Sequence, residues 1–138
     1  NLEIVRISDP EPRSDRRGQR HHRRTSDIDQ FLASIERLKT FEPEFTVTGH
    51  EAGLVRDDLR SRLDDYAAVI ERRHQQVLDA ICEPATLDEV TGRAIIYGPF
   101  YSPTNSYHDQ EWRMVRHHLE RAVKRGEAVR EDGRYRRL

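Results

Sequence analysis

From about Arg56 to Ile81 the residues Leu59, Leu63, Tyr66, Ile70, Val77 and Leu78 fall on one stripe of a helix, with no proline or glycine to interrupt it. At 1.5 Å per residue such a helix is about 39 Å long. Everything else in the chain has to be arranged along it, and apolar material for that is scarce. Charged residues make up 36% of the 138 residues and hydrophobic ones only 35%, against averages of about 25% and about 45–50%. The length suits about one ordinary domain, with little to build a large self-sufficient core.

The formal net charge of -1 conceals a division along the chain. Residues 1–24 carry seven Arg against four acids, residues 25–108 eight bases against fifteen acids, and residues 109–138 nine bases against six. Both ends are basic and the middle is acidic. The single cysteine, Cys82, excludes an intramolecular disulfide or a cysteine zinc cluster. No apolar run approaches the roughly 20 residues that span a bilayer, and no signal-peptide pattern opens the chain. A cytoplasmic protein with no membrane contact is the expectation, and Asn1 in place of Met points to a piece of something longer.

The opening segment EPRSDRRGQRHHRRTS has no apolar periodicity and six Arg that repel one another, so residues 1–24 read as a loop or disordered tail. Asp27 and Gln30 then form a capping box, and Ile28, Phe31, Leu32, Ile35 and Leu38 recur at helical spacing until Pro43. EFTVTGH reads as a short strand ending in a glycine turn. After the long helix, Thr86 and Glu89 make a second capping box, opening a helix that should bury Leu87, Val90 and Ala94 before Gly98 and Pro99 break it. An aromatic loop, YGPFYSPTNSYHD, follows. A last helix from about Asp109 to Arg125 puts Trp112, Val115, Leu119, Ala122 and Val123 on one face, with Gly126 suited to a left-handed cap. AVREDGRYRRL alternates around Asp132-Gly133, a strong hairpin signal. Three helices followed by a β-hairpin are the order of a winged helix.

This succession, SDIDQFLASIERLKTFEPEFTVTGH, a polar linker, the helix containing ERRHQQVLDAI, then EPATLDEV and a module ending HLERAVKRGEAVREDGRYRRL, resembles the C-terminal part of metallo-β-lactamase-fold hydrolases. More narrowly it is similar to the glyoxalase-II-like subgroup with a C-terminal winged helix, whose members include thioesterases and ribonucleases. IVRISDPEP looks like the segment that follows the metal-bridging aspartate in such proteins. The fold expected is therefore mainly α with a few short strands, an α+β arrangement. Residues 25–55 would be the end of the metallo-β-lactamase fold, residues 56–81 the connecting helix, and residues 82–138 a winged helix that shares its first helix with the connector.

In that family two metal ions are gripped by His and Asp side chains, the last of them a histidine after a glycine at a strand end. The matching position here is Gly49-His50, flanked by Thr48 and Glu51 where proline and glycine are common in the family. Glycine permits a tight turn, and neutral imidazole is a favoured ligand for zinc and other transition metals. A catalytic zinc takes about three protein ligands plus a water. His50 alone cannot hold the ion, and the HxHxDH motif is absent, so the chain by itself should be inactive and bind no metal stably. The resemblance implies zinc or another divalent metal in the intact protein, a missing N-terminal catalytic domain as partner, and metal-bound hydroxide attacking a thioester or an RNA phosphodiester. Without it, His50 reads as a hydrogen-bonded turn residue.

The remaining candidates have blander readings. His21 and His22 lie in the Arg-rich tail, and His74, His117 and His118 sit among charged neighbours in helices, with 117 and 118 facing different ways. Asp57, Asp58, Asp64 and Asp65 read as a solvated face beside Arg60 and Arg62. Arg113, Arg116, Arg121 and Lys124 on the last helix, with arginines of the hairpin, define a phosphate-contacting surface interrupted by Glu111, Glu120, Glu127, Glu131 and Asp132. Packing against the catalytic domain is the first function of the winged helix on this reading. A nucleic-acid-binding or interaction module is the alternative, and the aromatic loop serves as core cover.

Overall fold

The computed structural model describes residues 27–47, 54–55 and 58–138. The expected tail at 1–24, the IVRISDPEP segment, and the turn carrying Gly49 and His50 lie outside the described residues, as does the proposed start of the long helix at Arg56. The remainder is an α+β arrangement, mostly helical, with two small antiparallel sheets.

Asp27 ends the preceding segment by accepting from the Asp29 amide at 2.8 Å, which caps α1, Ile28–Leu38. Of the apolar residues at helical spacing only Ile28 and Ile35 are buried, while Phe31 and Leu38 stay exposed. Strands β1 (Thr46–Val47) and β2 (Leu54–Val55) pair antiparallel, with Thr46 opposite Val55. Asp58 caps α2, Leu59–Asp79, through the Arg60 amide. At 21 residues α2 is roughly 31 Å long, shorter than the sequence periodicity indicated because the Asp58 cap and the turn at Ala80 trim both ends. Its last two turns enter the core through His74, Val77 and Leu78. Its first turns are flanked by α1, where Phe31 meets Tyr66 edge-on at 5.9 Å between ring centres.

Beyond α2 the chain forms β3 (Ala85–Thr86) and α3 (Leu87–Thr91). The Thr86–Glu89 capping box forms in both directions, at 3.2 and 2.7 Å. Helix α3 is shorter than expected: Gly92 closes it and Ala94 takes a left-handed φ of 51°, so Thr91 rather than Ala94 is buried. A single 3₁₀ turn at Gly98–Phe100 leads to α4, Ser106–Lys124, which begins a turn before Asp109 because Asn105 caps it. At its far end the Glu127 amide bonds Ala122 O at 2.9 Å and the Gly126 amide bonds Val123 O at 3.1 Å, with Gly126 at φ 70°. This Schellman-type closure fixes where Glu127 lies.

The hairpin of β4 (Ala128–Glu131) and β5 (Arg134–Arg137) turns at Asp132 and Gly133, with φ of 48° and 78°, as a two-residue turn between right-twisted strands requires. β5 lies between β3 and β4, all antiparallel. The main core gathers Val77, Ile81, Val90, Val115, Leu119 and Tyr135 between the end of α2, α3, α4 and this sheet. Helix α4 is rotated from the face the sequence suggested. Val123 is exposed and Trp112 half-buried, bonding Asp88 through its indole N–H, whereas Glu111 and His118 take interior positions.

Candidate functional site

The described residues do not include the His50 position. His50 and Gly49, like His21, His22 and Asp57, lie outside them. Among the described residues no group of three or more His, Cys, Asp or Glu could hold a metal ion. They do not by themselves fit a metal centre.

The four basic residues expected to meet phosphate have separate fates. Arg113 is exposed. Arg116 is half-buried, 5.4 Å above the Trp112 ring and 3.2 Å from the Glu120 carboxylate. Lys124 donates to Asp27 at 2.8 Å, which holds the Asp27 carboxyl below its ordinary value and raises the lysine. Arg121 is only 5% exposed. Its Nε donates to Asp29 at 2.8 Å, and its two terminal nitrogens donate to Glu71 at 3.1 and 2.7 Å. The guanidinium is thus an internal clamp joining α4 to α1 and α2, not an open phosphate contact. A planar five-donor group can serve two carboxylates at once, which is what this junction uses. The hydrogen bond from Arg121 also lowers the Glu71 carboxyl.

One turn along, a second polar group crosses the same junction. His118 is fully buried, and its Nδ1 lies 3.3 Å from Nδ1 of His74. Nε2 of His74 is 2.8 Å from the Glu127 carboxylate, which also lies 3.3 Å from Arg125. Burial, followed by the charges of His74, Arg121 and Arg73, pushes His118 down to about 3. A third buried group, Glu111, accepts from the Ile96 amide at 2.9 and 3.2 Å and from the Tyr97 amide at 2.8 Å. It fixes the start of the aromatic loop, where the Tyr107 ring meets Tyr97 and Phe100 at tilted angles of 45° and 41° while Tyr101 bonds His108.

Sequence periodicity carried a signal for these residues that their polarity masked. Stepping by three or four from Val115 and Leu119 lands on Glu111 and His118, and from Ile70 and Val77 it lands on His74. Acid and imidazole on an apolar stripe read as interruptions unless a partner elsewhere is known.

A cleft of about 300 Å³ opens beside the clamp, lined by Asp27, Ile28, His117, Glu120, Arg121 and Lys124. Its lining is mostly ionic and already engaged in the pairs above, unlike the mainly apolar walls of small-molecule sites. Burial lowers His117 at its rim. The arrangement has the chemistry of a three-helix brace rather than of a reaction centre. No helix among the described residues is long and apolar enough to cross a membrane.

No family model matches the chain, and no curated protein matches it. Solved structures that share its fold include two metallo-β-lactamase-type proteins. One is a metallo-β-lactamase family protein from Thermus thermophilus, at 23% identity and a TM-score of 0.65. The other is a β-lactamase domain protein from Burkholderia ambifaria, at 22% and 0.64. Each superposition covers 80% of this chain but only 33% of the other. The chain therefore spans about a third of the length of the structures whose fold it shares.

Proposed function

We propose that this chain is the C-terminal part of a metal-dependent hydrolase of the metallo-β-lactamase superfamily, of the glyoxalase-II-like kind. On this reading it contributes His50 as one metal ligand, and the intact protein cleaves a thioester or a phosphodiester. The observation that carries the reading is the fold shared with a third of each neighbour, taken with where the apolar surface lies. Six of the ten exposed large hydrophobics among the described residues, Phe31, Leu38, Phe41, Phe45, Val47 and Tyr66, fall in α1, the segment after it, β1 and the first turns of α2, while Phe100, Tyr107, Val123 and Leu138 lie elsewhere. A two-stranded ribbon is marginal alone in water, and clustered exposed apolar side chains mark a surface that another layer covers. The further two thirds of a metallo-β-lactamase fold is the layer that suits it.

The order α2, β3, α3, α4, then the β4–β5 hairpin, supports a winged helix at the C-terminal end. Its usual reading helix would be α4, yet α1 is clamped to that helix through Asp27–Lys124 and Asp29–Arg121. This favours a packing role for the module over a nucleic-acid contact. The test is the coding sequence upstream of Asn1. An HxHxDH segment within roughly two hundred residues, about one further domain, is the expected finding. An initiating methionine at residue 1 would contradict the reading.

A further inference from the structure

The His74–His118 contact can be written with its protons. Glu127 presents carboxylate oxygen to Nε2 of His74 at 2.8 Å, so that nitrogen carries the proton and donates. When that is the only proton on the ring, Nδ1 of His74 is bare. The Nδ1 of His118, 3.3 Å away, must therefore carry the hydrogen between the rings. This leaves Nε2 of His118 as an unprotonated lone pair, buried and with no partner among the described residues. A bare ring nitrogen is the less costly occupant of such a place, since an N–H buried without an acceptor forfeits its full hydration.

A further proton on His118 has only two places to go. On Nε2 it would be a donor with no acceptor. Alternatively His74 takes it on Nδ1, and the bridging hydrogen survives only if His118 moves its own proton to that same Nε2. The groups facing the pair do not supply an exit. From α2 come Glu71, already held by Arg121, and Arg73, whose guanidinium bonds Ile96 O. From α4 come Arg121 and, through Glu127, Arg125. From α1 comes Asp29, bound to Arg121, and from the turn into β4 comes Glu127 itself.

We infer that His118, His74 and Glu127 form a proton-operated latch, closed while His118 is neutral and opened when that ring takes up a proton, that fastens α4 to α2 and to the turn entering β4. It does not depend on the hydrolase reading. The sign follows from the folded chain holding His118 well below its ordinary value of 6.5. Unfolded chain binds the proton first, so the latch contributes fully above about pH 6.5 and is lost as pH falls towards 3. Glu71 and Asp27, both lowered, weaken only below about pH 4.5. The interval from pH 6.5 to 5 therefore separates His118 from these carboxylates.

The experiment is urea unfolding of the 138-residue chain at half-unit steps from pH 7.5 to 5, beside His118→Leu and His117→Gln. Wild type should lose up to tenfold in its folding constant per pH unit over the lower part of this range, the slope of one proton. His118→Leu should flatten that slope by most of a proton, and His117→Gln should leave most of it. Nitrogen-15 spectra of the wild type provide a reading that needs no variant. His118 should be protonated at Nδ1 and bare at Nε2 throughout the range from pH 7.5 to 5. A His118 ring that titrates near 6.5 in folded protein, one carrying its proton on Nε2, or an unchanged slope in a folded His118→Leu would overturn the latch.

Discussion

Arg121→Ala is expected to loosen α1 from the rest of the chain and to lower global stability by about 3 kcal/mol, the low end of what breaking a buried ion pair costs. The low end applies because the stranded partners keep water: the Asp29 and Glu71 side chains are 37% and 50% exposed. The asymmetry yields a sharper comparison. Glu71→Ala removes a more exposed residue, yet it leaves the guanidinium, whose side chain is 3% exposed, with Asp29 alone. It should cost at least as much as a surface pair never does, about 2 kcal/mol or more against the usual 0–1. Urea midpoints at unchanged m-value measure both, and amide exchange in α1 should accelerate more than in α4. Equal, small effects from both variants would mean that the clamp is ornamental.

Glu111→Ala is expected to destabilise by about 3–5 kcal/mol, since it strips one buried and one part-buried amide of their acceptor and leaves a cavity where the side chain was. The amides are those of Ile96 and Tyr97, and Glu111 is fully buried. Glu111→Gln keeps one acceptor oxygen but points an NH₂ group at a second N–H, so it should lose roughly half as much, about 2 kcal/mol. The effect should be local as well as global, because Ile96 belongs to the main core while Tyr97 begins the aromatic loop. Near-ultraviolet dichroism from Tyr97 and Tyr107 should weaken in both variants. An Ala variant as stable as the Gln variant would show that the two amides find water instead.

The local punctuation of this fold was legible. Asp132-Gly133 turned a hairpin, Gly126 closed α4, and Thr86 with Glu89 opened α3, each because a few adjacent residues decide the backbone there. The α+β class followed from the same signals. The polar interior was not legible, because its logic is long-range. His118 is acceptable inside only because of His74, 44 residues away, and Arg121 only because of Glu71 and Asp29, 50 and 92 residues away. Read singly, these residues belong to a solvated face, which is why Arg121 looked like a phosphate contact and Glu111 like a surface acid. Ala94 shows the same limit on a smaller scale: its apolar spacing continued α3, but Gly92 ended the helix first.

On the proposed function, His50 helps hold a metal that polypeptide upstream of this chain mostly grips. The direct measurement is metal content and affinity of the protein expressed with its upstream coding sequence, wild type against His50→Ala, with amide exchange in α4 as the control for folding. Replacing a ligand should weaken metal binding by at least the 10–100-fold seen when a supporting residue is lost, with α4 protection unchanged. Full metal occupancy at unaltered affinity in a folded His50→Ala protein would contradict the account.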